Sequence, residues 1–319
     1  MSKRVLITGG AGFIAHHLIE TILDTTDWTI VSLDRLDFSG NLNRLEDIMK
    51  KYTPEQKKRV EIVFHDLRAE VNPQTANLIG DVQLVLHLAA GSHVDRSIEF
   101  PMEFVQDNVI GTVNLLQYAR TLPNLERFVY FSTDEVFGPA PEGVKYKEND
   151  RYNSTNPYSA TKAGAEELVV AYENTYKLPA IITHTMNVFG ERQHPEKFIP
   201  STIQKARDGE KVIIHADPTR TKAGTRMYIH AKDVAEGLNE NASRLLSAED
   251  RNGVITVVVQ APDGTKRSVA DKNPRYINNW LMKYGLELPR SITSKFVFDE
   301  AGSPSQQAAI AIAKKAKKA

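Results

Sequence analysis

The segment RVLITGGAGFIAHHLIE, residues 4–20, restricts the fold of this chain more than any other stretch. An apolar, β-branched run enters three glycines within four positions, Gly9, Gly10 and Gly12, and an apolar-periodic stretch follows at once. Gly9 and Gly10 permit a tight turn, and Gly12 lets backbone approach a pyrophosphate with no Cβ in the way. A helix beginning at Phe13 and Ile14 then directs free N–H groups and its positive end at the phosphates. Ala15 stands where the third glycine of such a loop usually sits, and its small side chain preserves close helix–strand packing. A glycine triplet alone is weak; the strand–turn–helix context makes it a dinucleotide loop, with a plain βα turn as the competing reading.

The next strand supports the same reading. Asp34 lies 22 residues after Gly12, at that strand's end. A carboxylate there accepts hydrogen bonds from the adenosine ribose and repels a 2′-phosphate, which favours NAD over NADP. Arg35 beside it leaves NADP as the alternative. After the third strand, Asp66, followed by Leu67, either meets the adenine amino group or caps a turn.

Short β-branched runs at 4–8, 29–33, 60–64, 84–88, 127–132 and 180–185 alternate with helical stretches at 13–23, 42–51, 101–120 and 158–176. Such alternation implies parallel βαβ units with right-handed crossovers. The expected fold is α/β, a Rossmann-like doubly wound parallel sheet with a small C-terminal substrate lobe. Residues 1–190 form the dinucleotide-binding domain, 191–253 the lobe with a return helix, and 254–319 a tail of unassigned role. Within the lobe, 227–246 reads as a short strand and then a helix. The tail holds one β-like run, 254–259, and ends in AAIAIAKKAKKA, read as a solvated helix rather than a nucleic-acid arm.

Lysine plus arginine and aspartate plus glutamate each number 40, so no global field recruits nucleic acid or an anionic membrane. With no cysteine, disulfides and thiolate metal sites are excluded, and His16–His17 lack further ligands at metal-binding spacing. No metal is expected. The basic, apolar start mimics a signal peptide, but its glycines fit a strand-to-loop turn better, so a cytoplasmic protein is expected.

Tyr158 and Lys162, four apart in YSATK, share one helix face. A phenol is a poor base at neutral pH, and a nearby ammonium favours the phenolate. The pair can remove a hydroxyl proton while hydride leaves for a nicotinamide.

With these residues in place, TGGAGFIA, LHLAAGSHVDRS, FSTDEVFG, YSATK and HPEKFIP resemble, in order, the motifs of the dTDP-glucose 4,6-dehydratase family. The match runs from about residue 3 to about 240. The resemblance implies an NAD enzyme acting on a nucleoside-diphosphate hexose, dTDP-glucose first and UDP-glucose next, in three stages: oxidation at C4, loss of water across C5–C6, and hydride return to C6. It makes Glu135 the base at C5, Asp134 the acid for the departing C6 hydroxyl, and Thr133 a partner of the C4 oxygen. By the same resemblance Leu88, Ala89 and Ala90 line the cofactor. Ser92, Asn187, Lys197, Phe198 and Arg226 contact the substrate, Arg226 at its diphosphate. The stretches 101–120 and 158–176 pair two copies into a homodimer. A 4-epimerase or decarboxylase using the same Tyr158–Lys162 chemistry, or an inert NAD-binding protein, are the alternatives.

The chain departs from the family at three positions: Gly91 replaces the acid usual after the paired alanines, Asp107 a cofactor-contacting threonine, and Val188 a second asparagine. Residues 254–319 do not match the family's base-closing segment.

Overall fold

The computed structural model describes residues 2–271 and residue 277, except 38, 142, 148, 149, 215–218, 220, 222–225, 252, 253, 261–265 and 272–276. The Ala/Lys-rich end of the chain lies outside the described residues.

Six parallel strands form one sheet: β1 (Arg4–Thr8), β2 (Thr29–Asp34), β3 (Val60–Phe64), β4 (Leu84–His87), β5 (Arg127–Thr133) and β6 (Ala180–Thr185), in the spatial order β3-β2-β1-β4-β5-β6. That is the doubly wound order, and its direction reverses between β1 and β4. At such a switch point, outside the C-terminal ends of the strands, doubly wound sheets offer the crevice that takes a ligand.

Both faces of the sheet are covered, because alternate residues of each strand point to opposite sides. Val5 and Ile7 of β1 join Leu18, Ile22 and Leu45, which come from α1 (Phe13–Thr25) and α2 (Leu42–Met49). Leu6 joins Leu115, Leu116 and Val169 on the other face. The helices there are α7 (Gly111–Ala119) and α8 (Pro157–Tyr176).

Short helices that periodicity does not announce are α3 (Pro54–Lys57), α4 (Pro73–Ile79), α5 (Val94–Glu99) and α9 (Phe198–Arg207). Their local signals are caps: Thr53 and Asn72 each accept from a backbone N–H three residues on and are followed by proline. The stretch 101–120, expected as one helix, divides into α6 (Pro101–Phe104), a π-helical turn (Val105–Ile110) and α7.

Beyond β6, β7 (Asn187–Phe189) pairs in parallel with β8 (Tyr228–His230), and α10 (Ala231–Arg244) returns to the Rossmann core. Its buried Val234, Ala235 and Leu238 pack in the cluster that holds Leu18 and Ile22 of α1. Strands β9 (Leu245–Arg251), β10 (Val254–Gln260) and β11 (Lys266–Asp271) form an antiparallel sheet. The β9–β10 hairpin crosses the boundary expected at 253/254, so the β-like run pairs with the segment before it.

Candidate active site

The glycine turn lies at the crevice. Gly9 has φ of +69°, and a Cβ there would stand 2.9 Å from the Ala89 backbone. At Gly12 a Cβ would meet the Gly9 carbonyl at 2.8 Å. The loop therefore folds tightly on itself and against the end of β4. Gly12 caps α1 with no side-chain hydrogen bond, and no acid stands in the first turn. The N–H groups at Phe13 and Ile14 are thus open to an anion, and these residues fit a dinucleotide pyrophosphate.

A chain of hydrogen bonds holds the floor of the crevice. The Ala89 N–H donates to Thr8 Oγ1 at 3.2 Å, and Thr8 Oγ1 lies 2.7 Å from His87 Nδ1. His87 Nε2 is 3.0 Å from Thr112 Oγ1, which itself donates to the Asn108 carbonyl at 2.6 Å. With the Thr112 proton so used, His87 is neutral and donates from Nε2. Burial pushes its pKa down to about 3. Leu88 and Ala90 flank Ala89 in this segment.

At the tip of β2 the Asp34 carboxylate, nearly buried, accepts from the Ala11 N–H at 3.0 Å and the Leu36 N–H at 2.8 Å. Of the two readings open for Asp66, the structure contains the turn: its Oδ1 accepts from the Arg68 N–H at 3.0 Å and its Oδ2 from Arg68 Nε at 2.8 Å. Leu67 is buried in the core, and its carbonyl accepts from Asn114. Arg35 turns onto Asp107 and Asp37.

The candidate reacting groups lie where β5 ends and α8 begins. Asn156 caps α8 with a reciprocal Asn156–Ser159 pair, and Pro157 occupies the first turn, so Tyr158 is fixed at the helix start. Its N–H donates to Ser97 Oγ at 3.1 Å. Lys162, one turn on, is 3% exposed; its Nζ donates to the Phe131 carbonyl at 2.8 Å and lies 4.2 Å from the centre of the Tyr130 ring.

In the free protein, burial works against the ionisation expected from the Tyr–Lys spacing. Burial, then the charges of Glu135 and Asp134, push the Tyr158 phenol up, and hydrogen bonding with Thr133 only partly opposes them. Burial also pulls Lys162 down to about 7, against the pull of Glu166. The four-residue spacing alone therefore does not set the ionisation of the pair; burial and the neighbouring carboxylates oppose it until further positive charge enters the site.

Thr133, Asp134 and Glu135 close β5 and open a 3-10 turn, Asp134–Phe137. Thr133 Oγ1 accepts from the Glu135 N–H at 3.3 Å and donates to Asp134 Oδ1 at 3.4 Å. Burial raises the Asp134 pKa, opposed by Thr133 and Arg226. Asn156 Nδ2 donates to Glu135 Oε2 at 3.5 Å.

Of the residues expected at the substrate, Lys197 is felt by Glu135 and Arg226 by Asp134. Lys197 donates to the Ser92 carbonyl at 3.2 Å; burial lowers its pKa, and Glu135 opposes that. Phe198 starts α9 half-exposed, and Asn187 Nδ2 donates to the Met227 carbonyl at 3.4 Å, beside Arg226. Val188 packs against the core through β7.

Sequence reasoning missed a buried hub beneath these groups. Glu166, one turn beyond Lys162, is fully buried and accepts from Ser132 Oγ, from Tyr152 OH at 2.6 Å and from His184 Nε2 at 2.8 Å. Its i+8 spacing from Tyr158 was the available signal. His16 and His17 have hydrogen-bond partners: His16 Nε2 accepts from Arg192 Nε at 2.8 Å, and His17 Nε2 lies 3.3 Å from the Glu191 carbonyl.

The family model described as GDP-mannose 4,6 dehydratase matches residues 6–257. The low-salt glycan biosynthesis protein Agl12 of Haloferax volcanii is 40% identical over 235 residues, 74% of this chain and 71% of that protein. The trifunctional UDP-glucose 4,6-dehydratase/UDP-4-keto-6-deoxy-D-glucose 3,5-epimerase/UDP-4-keto-L-rhamnose-reductase RHM3 of Arabidopsis thaliana is 39% identical over 237 residues, 73% of this chain but only 34% of that protein. Among solved structures, the dTDP-glucose 4,6-dehydratase DesIV double mutant of Streptomyces venezuelae, with NAD and DAU bound, has a TM-score of 0.66 at 33% identity, covering 74% of this chain and 71% of that one. A family match over more than half the chain and a shared doubly wound fold lead to one conclusion: the chain belongs to the GDP-mannose 4,6-dehydratase family, which also takes in the dTDP-glucose 4,6-dehydratases that its motifs resemble.

Proposed function

We propose that this chain is an NAD-dependent sugar-nucleotide 4,6-dehydratase that converts a nucleoside-diphosphate hexose to its 4-keto-6-deoxy form. The observation that carries the reading is that Thr133, bonded to Asp134 and to the Glu135 N–H, ends β5 beside the start of α8, where Tyr158 follows the cap residue Asn156 that donates to Glu135. An epimerase needs no such acid pair. Bound in the crevice, NAD would supply the hydride acceptor for C4 and the donor for C6.

The chain's own groups then divide the proton work. Tyr158, drawn towards the phenolate by Lys162 and by the positive charge that a bound nicotinamide would add, would take the C4 hydroxyl proton, and Thr133 would hold the C4 oxygen. The resulting ketone acidifies C5, whose proton passes to Glu135, held by Asn156. Asp134, whose pKa burial raises, would pass a proton to the departing C6 hydroxyl. Gly9, Gly12, Phe13 and Ile14 hold the pyrophosphate, and Asp34 the adenosine ribose, with Arg35, Asp66 and Leu67 around it. Leu88, Ala89 and Ala90 line the nicotinamide side. Ser92, Asn187, Lys197 and Phe198 contact the hexose nucleotide, and Arg226 suits its diphosphate.

We take dTDP-glucose as the first substrate and UDP-glucose as the second. Residues 1–190 serve as the dinucleotide-binding domain and 191–253 as the substrate lobe, a reading supported by the return of α10 to α1. The protein is read as a cytoplasmic homodimer; no described helix is long and apolar enough to cross a membrane.

The test is mass spectrometry of the protein with NAD+ and dTDP-, UDP-, GDP- or CDP-linked hexoses. Loss of one water from a single substrate is expected, and Glu135→Gln is expected to stall after C4 oxidation. Unchanged mass for all four, in folded and NAD-loaded protein, overturns the dehydratase; full deoxysugar formation by the variant overturns the role of Glu135.

A further inference from the structure

Arg35 follows Asp34 at the tip of β2, a place from which an arginine can meet the 2′-phosphate of NADP. Its guanidinium is committed elsewhere. Nη1 and Nη2 donate to the two carboxylate oxygens of Asp107 at 2.5 and 2.8 Å, a two-pronged pairing that fixes the plane of the group. Nε and Nη2 donate to Asp37 Oδ2 at 2.9 and 2.6 Å. Asp66 lies 3.7 Å from Nη1, and Arg68 Nε lies 3.7 Å from Asp107. The acids hold the Arg35 pKa well above its usual value, with Asp107 the largest cause.

The Asp107 side chain is only 11% exposed. It sits on the π-helical turn, and its neighbour Asn108 grips Gly91: Asn108 Oδ1 accepts from the Gly91 N–H at 2.8 Å, and Asn108 Nδ2 donates to the Gly91 carbonyl at 3.1 Å. A Cβ at position 91 would stand 3.1 Å from the Phe104 ring and 3.3 Å from Asp107 Oδ2. The bare backbone at 91 and the carboxylate at 107 therefore belong together; an acid at 91 would crowd Asp107 with like charge.

We propose that Asp107 is a specificity-determining residue of the dinucleotide site, holding Arg35 away from the adenosine 2′ position and so selecting NAD over NADP. The inference rests on the NAD reading above. Four carboxylates, Asp34, Asp37, Asp66 and Asp107, face three guanidiniums, Arg35, Arg68 and Arg44, so the cluster is still negative by one. A 2′-phosphate brings further negative charge into that field, where Arg35 and Arg68 are already paired with acids and Arg44 donates to the Ala11 and Ser39 carbonyls. Gly91 makes the room, the π turn sets the angle, and Asp107 closes the fork.

The experiment is calorimetric titration of the full chain, freed of bound dinucleotide, with NAD+ and with NADP+. Asp107→Asn is expected to tighten NADP+ about tenfold, the effect of one charge-assisted pair, while NAD+ moves less than about threefold. Adding Arg35→Leu is expected to abolish the gain, because the freed guanidinium is its source. Gly91→Ala, whose Cβ presses on Asp107 and Phe104, provides a second route to the same shift should Asp107→Asn not fold. NAD+ binding with an unchanged NADP+/NAD+ ratio in both variants overturns the proposal alone, as does a gain that survives Arg35→Leu. Binding of neither dinucleotide by the parent protein overturns the NAD reading and the proposal with it.

Discussion

Tyr158, Lys162 and Glu166 stand at successive turns of α8, so one helix face carries the base, its ammonium and a buried acid. Lys162 is pulled to about 7 by burial, and Glu166 is the one charge resolved as raising it. Glu166 is therefore expected to matter for turnover as well as for joining β5, β6 and α8. Glu166→Gln keeps the size and removes the charge. It is expected to lower kcat on the order of tenfold at pH 7, with KM and NAD content little changed. Steady-state kinetics across pH 6–9 checks this, with thermal melting as the control for folding. A variant with parental kcat at every pH would reduce Glu166 to a structural tie.

At the scale of elements, the π turn between α6 and α7 has the widest reach. Its register presents Asp107 to Arg35 and Asn108 to Gly91 and Thr161. Turns of this type gather at functional sites because the wider coil redirects side chains. The same region leaves Ile98, Met102 and Ile110 exposed at 64%, 65% and 43%, apolar surface that a second copy would cover. This supports the homodimer reading. Ile110→Glu is expected to halve the mass of the particle in light scattering, with NAD binding retained by each copy. A monomeric parent protein would remove the reading, and a variant that stays dimeric would move the interface elsewhere.

At the scale of the whole molecule, buried neutral histidines couple the fold to pH. His16 and His87 are both pushed from 6.5 to about 3, chiefly by burial, and His17 is lowered by the same cause. A histidine whose folded pKa is depressed takes up a proton first in the unfolded chain. Stability is therefore full above pH 6.5 and is lost as pH falls towards 3. Two such groups correspond to about 2 kcal/mol per pH unit between pH 6 and 5. Urea midpoints at pH 7, 6 and 5 measure the loss, and a flat profile over that range would contradict the buried neutral state. The Arg192-to-His16 bond links α1 to the loop after β7, so acid is expected to loosen that junction early.

Much of this architecture is legible along the chain. The strands at 4–8, 60–64 and 180–185 fall where β-branched runs predict them, and Phe13 begins α1. Those are local properties: side chains alternate or recur with the backbone's own period, and a glycine turn needs only its neighbours. The Tyr158–Lys162 spacing and the Thr133–Glu135 run are local too, which is why the motifs could be read. The three short helices before 100 depend on single caps and a few residues, too little pattern for periodicity to register. The direction in which Tyr158 and Lys162 titrate was not legible, because burial is a property of the packed interior and outweighs the four-residue spacing. Nor was the role of Arg35: in sequence it stands beside Asp34 and could serve NADP, whereas its fork closes on Asp107, 72 positions away. Local chain chemistry determined which elements form and where the reactive residues stand. Only tertiary packing, by choosing which distant charges meet and how much water they lose, decided what those residues are disposed to do.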